Sequence, residues 1–285
     1  MIPTNSADLD GVPIHFAEVA TAGPALLILH GATGSHTSFL PLLPLLARRA
    51  HVYALDLRGH NLSGHTPGAY QLPDYGRDVL TFQQTLIGRP VVVAGHSLGG
   101  LIAVWLAAHA PDRVLGIFLE DPPLYIAQQP RFQTTGFHAY FVALRDHLTG
   151  HHARGGTVEE MAAHVGRAPF DDRRTTLEAI GAEAVRARAI ELHRLDPTML
   201  APLIAGTVYG PDEPDDLLAQ VRCPAHLLAG QLAYGGALDG AEVDRAVGRL
   251  GHATHTVLEA TGHLIHEERP VEYVEILMQF MAAFD

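Results

Sequence analysis

Residues 91–100 read V-V-V-A-G-H-S-L-G-G, and residues 101–108 continue L-I-A-V-W-L-A-A. An apolar, β-branched run stops at a glycine, a serine sits between two glycines, and a helix-forming run follows at once. Strand, sharp turn and helix are the setting in which G-x-S-x-G presents its serine at the C-terminal edge of a sheet. Gly95 and Gly99 remove side chains that would crowd the turn, and so tight a turn predicts a strained backbone at Ser97. The helix that follows aims its N-terminus at the serine, which favours negative charge developing there. The bland alternative is a glycine-rich turn with an incidental serine; the flanking strand and helix decide for a nucleophile. His96, on the same turn, is expected to point elsewhere and to be structural.

Working outward, the same alternation recurs. Ala25–His30, Val52–Asp56 and Val114–Leu119 are further apolar runs, with helical patterns over Phe39–Arg49, Tyr75–Ile87 and Leu98–His109. Continuous apolar strands separated by helices predict an α/β fold with a parallel sheet covered on both faces. From Leu124 to Leu217 no strong strand run occurs; helical stretches lie at Gly136–Leu148, Val158–Val165 and Leu177–Leu195. Strand character returns at Ala225–Ala229 and Ala253–Leu258, before a closing helix over Pro270–Phe284. The expectation is a core of residues 1–123 and 218–285 with a helical cap inserted at 124–217.

Bulk properties narrow the function. Of 285 residues 47% are hydrophobic and 18% charged, enough to bury a large core. The net charge of −12 argues against nucleic acid as a partner. Every basic residue is Arg, which excludes a Lys nucleophile or Schiff base. The single Cys, Cys223, allows no internal disulfide and reads as a buried, inert thiol. The first residues lack the charged and apolar regions of a signal peptide, and no apolar run approaches a membrane span, so a cytoplasmic protein without a membrane partner is expected. His151-His152, and His252 with His255, lack a matched second pair or nearby carboxylates, so no metal is expected. Nothing here fixes the oligomeric state.

Two further segments complete the chemistry. His30-Gly31-Ala32-Thr33-Gly34-Ser35 follows the first clear core strand, where a tight turn places a backbone N–H beside the nucleophile. An oxyanion wants two such donors; the natural pair is Ala32 N–H and Leu98 N–H, with Gly31 the alternative to Ala32. Thr261-Gly262-His263-Leu264 lies between the last strand run and the closing helix, so His263 can reach over the sheet edge as a base. His266 and His255 compete, but neither sits in a Gly-preceded turn. Asp56, ending its own strand, is read as holding the R-G-H turn.

H-G-A-T-G-S, A-L-D-L-R-G-H-N-L-S-G, G-H-S-L-G-G, L-E-D-P-P-L and A-T-G-H-L-I-H-E-E-R-P together resemble the α/β-hydrolase superfamily across nearly the whole chain. The resemblance implies an eight-stranded, mostly parallel sheet, a helical cap after the sixth strand and a Ser–acid–His triad. Most such proteins place the acid as an Asp shortly after the seventh strand; here the corresponding position is Ala233, and the next Asp is Asp239. A second arrangement, resembling haloalkane dehalogenases and zearalenone-type lactonases, places it after the sixth strand, which ends here at Glu120-Asp121. That resemblance favours Asp121, with Glu120 and Asp239 as alternatives; an Asp opening a D-P-P turn can also serve only the local backbone.

The function expected is a serine hydrolase of a carboxylic ester or lactone, working through an acyl-enzyme without metal or organic cofactor. Tyr125, Phe137, Tyr140 and Phe141 near the start of the cap, with Phe132, Met161 and Leu192, favour a small apolar or aromatic substrate, although most of them could form the cap's own core, as Trp105 does in its helix. C–C bond hydrolysis or perhydrolysis on the same residues, and a hydrolase-fold receptor that binds a small ligand with little turnover, remain as alternatives.

Overall fold

The computed structural model describes residues 2–169 and 173–284. Its apolar runs form one eight-stranded sheet: β1 (Thr4–Leu9), β2 (Val12–Val19), β3 (Ala25–Leu29), β4 (His51–Leu55), β5 (Val91–His96), β6 (Val114–Glu120), β7 (Ala225–Ala229) and β8 (Ala253–Val257), in the order β1-β2-β4-β3-β5-β6-β7-β8. β1 and β2 pair antiparallel, as do β2 and β4; every other neighbouring pair is parallel. The β1–β2 hairpin is a strand pair absent from the apolar pattern. It turns at Asp10-Gly11, both with positive φ (53° and 88°), the backbone a two-residue hairpin needs.

The helices are α1 (Leu43–Leu46), α2 (Leu72–Phe82), α3 (Leu98–His109), α4 (Gly136–Ala153), α5 (Val158–Arg167), α6 (Thr176–Arg194), α7 (Leu200–Ala205), α8 (Pro214–Gln220), α9 (Gly240–Leu250), α10 (Ile265–Glu268) and α11 (Pro270–Met281). Side chains alternate along each strand, so the sheet feeds two cores. Leu27, Leu29, Val93 and Leu119 face one, closed by α2, α3, α8 and α9; Leu26, Ile28, Val92 and Phe118 face the other, closed by α1 and α11. Where α2 crosses α3, a side chain at Gly76 would begin 1.9 Å from the Trp105 ring, so glycine there lets the helices approach.

Between β6 and β7 the described residues are helical apart from loops and one isolated bridge, Pro169 to Thr175. α5 and α6 each begin at a capping box, Thr157 with Glu160 and Thr175 with Glu178. Met161, Leu192 and Val185 of these helices join the core that lies under α3. The boundary expected at 217/218 falls inside α8, which packs on α3 and α9 and so sits with the sheet. No described helix is long and apolar enough to cross a membrane.

Candidate active site

Ser97 has φ 52° and ψ −116°, a conformation costing roughly 1–3 kcal/mol that its surroundings must enforce. The enforcement is steric. A side chain at Gly95 would begin 2.2 Å from the Gly99 carbonyl oxygen, and one at Gly99 would begin 2.2 Å from that of Leu29. Ser97 N–H donates to the Glu120 carbonyl at 2.9 Å, continuing the β5–β6 register one residue past the strand. Ser97 therefore stands at the C-terminal edge of the sheet, where the neighbouring strand ends at Glu120 and Asp121.

Asp121 is fully buried and has φ 43°. Its Oδ1 accepts from Gly230 N–H at 3.2 Å, and Oδ2 accepts from Ala237 N–H at 2.8 Å and from His263 Nδ1 at 2.7 Å. An ionised carboxylate only accepts, so Nδ1 carries the proton and Nε2 is left with a free lone pair. The other two acids are engaged elsewhere. Glu120 Oε1 accepts both the backbone N–H and Nδ1–H of His266, each at 2.8 Å. Burial alone would lower His266, but the adjoining Glu120 carboxylate outweighs it and raises the imidazole above its ordinary value. Asp239 is the N-cap of α9, in a capping box with Glu242.

Ser97, His263, Ala32 and Leu98 all line one cavity of about 660 Å³, within the range of small-molecule sites. Among the hydrogen bonds of the described residues none joins the Ser97 hydroxyl to His263; such contacts commonly tighten only with substrate bound. The cap supplies Phe132, Phe137, Tyr140 and Phe141 to the wall, and Phe137 sits edge-on to His263 with ring centroids 5.5 Å apart. Tyr125, expected in this pocket, does not line it: its hydroxyl bonds Asp215 at 3.2 Å and Arg245 covers its ring at 4.3 Å. Met161 and Leu192 are likewise core residues, as is Trp105, whose indole N–H donates to Asp212.

The loop after β3 is held by buried imidazoles. His30 Nδ1–H donates to the Gly31 carbonyl at 2.8 Å while Nε2 accepts from Leu57 N–H at 3.0 Å, so the ring is neutral. Burial, reinforced by nearby His60, pushes it down to about 3. His60 Nε2 lies 3.0 Å from the Ala32 carbonyl. Asp56 is buried and accepts from His36 and from Asn61 in the R-G-H-N turn, while its carbonyl accepts from Ser63.

Two residues of the cavity wall carry no signal in the local motifs. His96, read as structural, lines the cavity and holds the backbone of His263: burial first, then nearby His263, keep its ring neutral, and Nε2–H donates to the His263 carbonyl at 3.0 Å. Only its place beside Ser97 could have hinted at this. Arg188, from α6, is a cation in the cavity wall, and no local pattern signals it.

Among the described residues two clusters have metal-ligand geometry, His15–His36–Asp56 and His96–Glu120–His266. Hydrogen bonds account for both: His36 binds Asp56, His266 binds Glu120, and His96 binds the His263 carbonyl. Of the histidines flagged by their spacing, His151 contacts His193 at 3.1 Å and His152 the His193 carbonyl at 2.9 Å. Burial pushes the Cys223 thiol up to about 11, far from the thiolate a nucleophile needs.

Residues 24–154 match the family described as alpha/beta hydrolase fold. A 105-residue stretch is 36% identical to 2-(acetamidomethylene)succinate hydrolase of Mesorhizobium japonicum, covering 37% of this chain and 38% of that enzyme. Over most of the chain the likeness is structural. A crystal structure of E-2-(acetamidomethylene)succinate hydrolase superposes with a TM-score of 0.74 at 21% identity, covering 99% of this chain and 100% of that one. The enol-lactonase of Burkholderia xenovorans LB400 superposes at 0.76 with 18% identity, covering 98% and 100%. The sheet order, the elbow at Ser97 and the match over residues 24–154 agree: the chain has the α/β-hydrolase fold.

Proposed function

We propose that this protein is a serine hydrolase that cleaves a carboxylic ester or lactone of a small apolar or aromatic molecule. The observation that carries the proposal is the 2.7 Å bond from His263 Nδ1 to the buried Asp121 carboxylate, made beside a cavity that also holds the strained Ser97. Nε2 of His263 is then free to take the Ser97 proton as Oγ attacks the carbonyl carbon. Ala32 N–H and Leu98 N–H hold the oxyanion. The tetrahedral intermediate collapses, His263 protonates the leaving oxygen, and an acyl group stays on Ser97. Water, deprotonated by His263, then releases the acid and restores the serine. Asp121 keeps the tautomer and offsets the imidazolium charge.

The aromatic cap wall supports an apolar acyl group, and the names of the hydrolase and lactonase relatives support the reaction class. The partner on this reading is a small molecule, not nucleic acid or membrane. A panel of p-nitrophenyl esters, lactones and a ring-cleavage diketone, run with the wild type and Ser97→Ala, tests the proposal. Turnover of esters or lactones that disappears in Ser97→Ala is expected. Diketone cleavage alone would move the reaction to C–C hydrolysis, and ligand-induced stabilisation without turnover would favour a receptor.

A further inference from the structure

Helix α6 of the cap is bonded to the loop that follows β3. Arg188 Nη1 donates to the Thr33 carbonyl and Nη2 to Thr33 Oγ1, both at 2.6 Å. One turn on, Glu191 Oε1 accepts from Ser35 Oγ at 2.6 Å and from Thr37 Oγ1 at 2.7 Å. The two cap residues are tied to each other, Arg188 Nη1 to Glu191 Oε2, at 3.2 Å. A guanidinium fork and a carboxylate so spaced form charge-assisted bonds, stronger than neutral ones and fixed in direction.

These bonds fall where the chemistry would be sensitive to them. Three successive carbonyls of the loop each face a polar side chain: Gly31 the His30 ring, Ala32 the His60 ring at 3.0 Å, and Thr33 the Arg188 guanidinium, which donates to it. The core supplies the first two partners and the cap the third. Ala32, the residue whose N–H is assigned to the oxyanion, lies next to Thr33. An oxyanion donor works only if it is aimed at the developing charge beforehand, and small displacements forfeit much of its effect.

We infer that Arg188 and Glu191 are positioning residues, through which seating of the cap completes the oxyanion hole. The inference rests on the serine-hydrolase reading of the site. It makes the cap part of the catalytic geometry as well as a wall for substrate. Neither residue need touch the reacting atoms. Glu191 is not among the described residues lining the cavity, so it acts through its partners, the loop hydroxyls and Arg188.

The test is Glu191→Gln, with Arg188→Lys beside it, measured with p-nitrophenyl butyrate and with a trifluoromethyl ketone that mimics the tetrahedral intermediate. The expected result is a fall in kcat of about tenfold or more with KM changed by less than about twofold. Ketone affinity should fall in proportion to kcat/KM. Thr33→Val, which removes a single hydroxyl, reads the same coupling if Glu191→Gln folds poorly. A lower Tm with kcat and ketone affinity at wild-type values would overturn the inference. So would a rise in KM alone, which would make Arg188 a substrate anchor. Ser97→Ala, run in parallel, separates the failures: turnover surviving it would sink the reading of the site and this inference with it. A silent Ser97→Ala beside a wild-type Glu191→Gln would sink the inference alone.

Discussion

Asp121 Oδ2 and His263 Nδ1 lie 2.7 Å apart although 142 positions separate them in sequence. The contact spans the ends of β6 and β8, with β7 between them in the sheet. Gly230 and Ala237, both after β7, donate to the same carboxylate and hold it in place. The Asp121 contact is thus built by three adjoining strand ends, and on the proposed mechanism its replacement should be felt in chemistry more than in folding. Asp121→Asn is expected to lower kcat by roughly 10⁴-fold, the scale seen when a triad acid loses its charge and the imidazole its tautomer. Asp239→Asn should leave kcat unchanged, since Asp239 caps α9 and Asn is itself a good cap. Steady-state kinetics on the two purified variants makes the comparison; the reverse ranking would move the acid to the region after β7.

Two glycines should answer oppositely to the same substitution. Gly99→Ala drives a methyl group into the Leu29 carbonyl, 2.2 Å away, and neither backbone has room to yield. The expected cost is about 1–3 kcal/mol or more, with activity lost as the Ser97 turn shifts. Gly248, exposed inside α9, has nothing within 4 Å of an added methyl group. Gly248→Ala should stabilise by about 0.5–1 kcal/mol with unchanged kcat. Thermal unfolding of both variants decides the point.

Acid should destabilise the fold through its buried imidazoles. His30 is pushed down to about 3 and His226 to about 4, by burial first in each case. Below about pH 6.5 the unfolded chain binds protons that these folded rings refuse, so stability is full above that pH and falls toward the folded values. Each ring contributes a slope of up to about 1.4 kcal/mol per pH unit in that window. His266, raised by Glu120, works in the opposite sense: its contribution is full below about pH 6.5 and fades as pH rises through its folded value. Denaturant titrations at pH 7 and pH 5 should therefore show lower stability at pH 5. His226→Phe, which keeps the ring stacked on Phe118, should flatten that dependence. An unchanged slope in His226→Phe would contradict it.

Glu120 is one residue from Asp121 but serves folding. Removing it in Glu120→Ala strips the acceptor from two buried donors of His266, and a loss of about 3–5 kcal/mol is expected. Glu120→Gln, which keeps an acceptor at the same place, should lose less and retain kcat within a few-fold. Chemical denaturation of both variants checks this.

Much of the architecture was legible because the chain marks it locally. α3, Leu98–His109, and β7, Ala225–Ala229, match their apolar runs to the residue, bounded by Ser97 and Pro111 and by Pro224 and Gly230. β1 was missed because Thr4–Leu9 is an exposed, polar edge strand; β2 was missed although Ile14–Ala17 is buried, because Pro13, His15 and Glu18 break up its apolar run, and only the Asp10-Gly11 turn betrays the hairpin. The helix expected over Phe39–Arg49 shrinks to Leu43–Leu46, since Pro41 and Pro44 remove the N–H groups a longer helix would need. The sequence favours Asp121 over Glu120; what it does not announce is that the two neighbours face different histidines, Asp121 meeting His263 and Glu120 meeting His266. Arg188 and Glu191 sit on a helix of mixed polarity, and their partners lie some 155 positions away.

The central claim is that Ser97 is a nucleophile activated by His263. Mass spectrometry of the intact protein after exposure to a fluorophosphonate tests it most directly, because the probe reacts only with an activated serine. One adduct, mapped to Ser97 and lost in His263→Ala, is the expected result. An unmodified protein, or an adduct elsewhere that persists in Ser97→Ala, would contradict it.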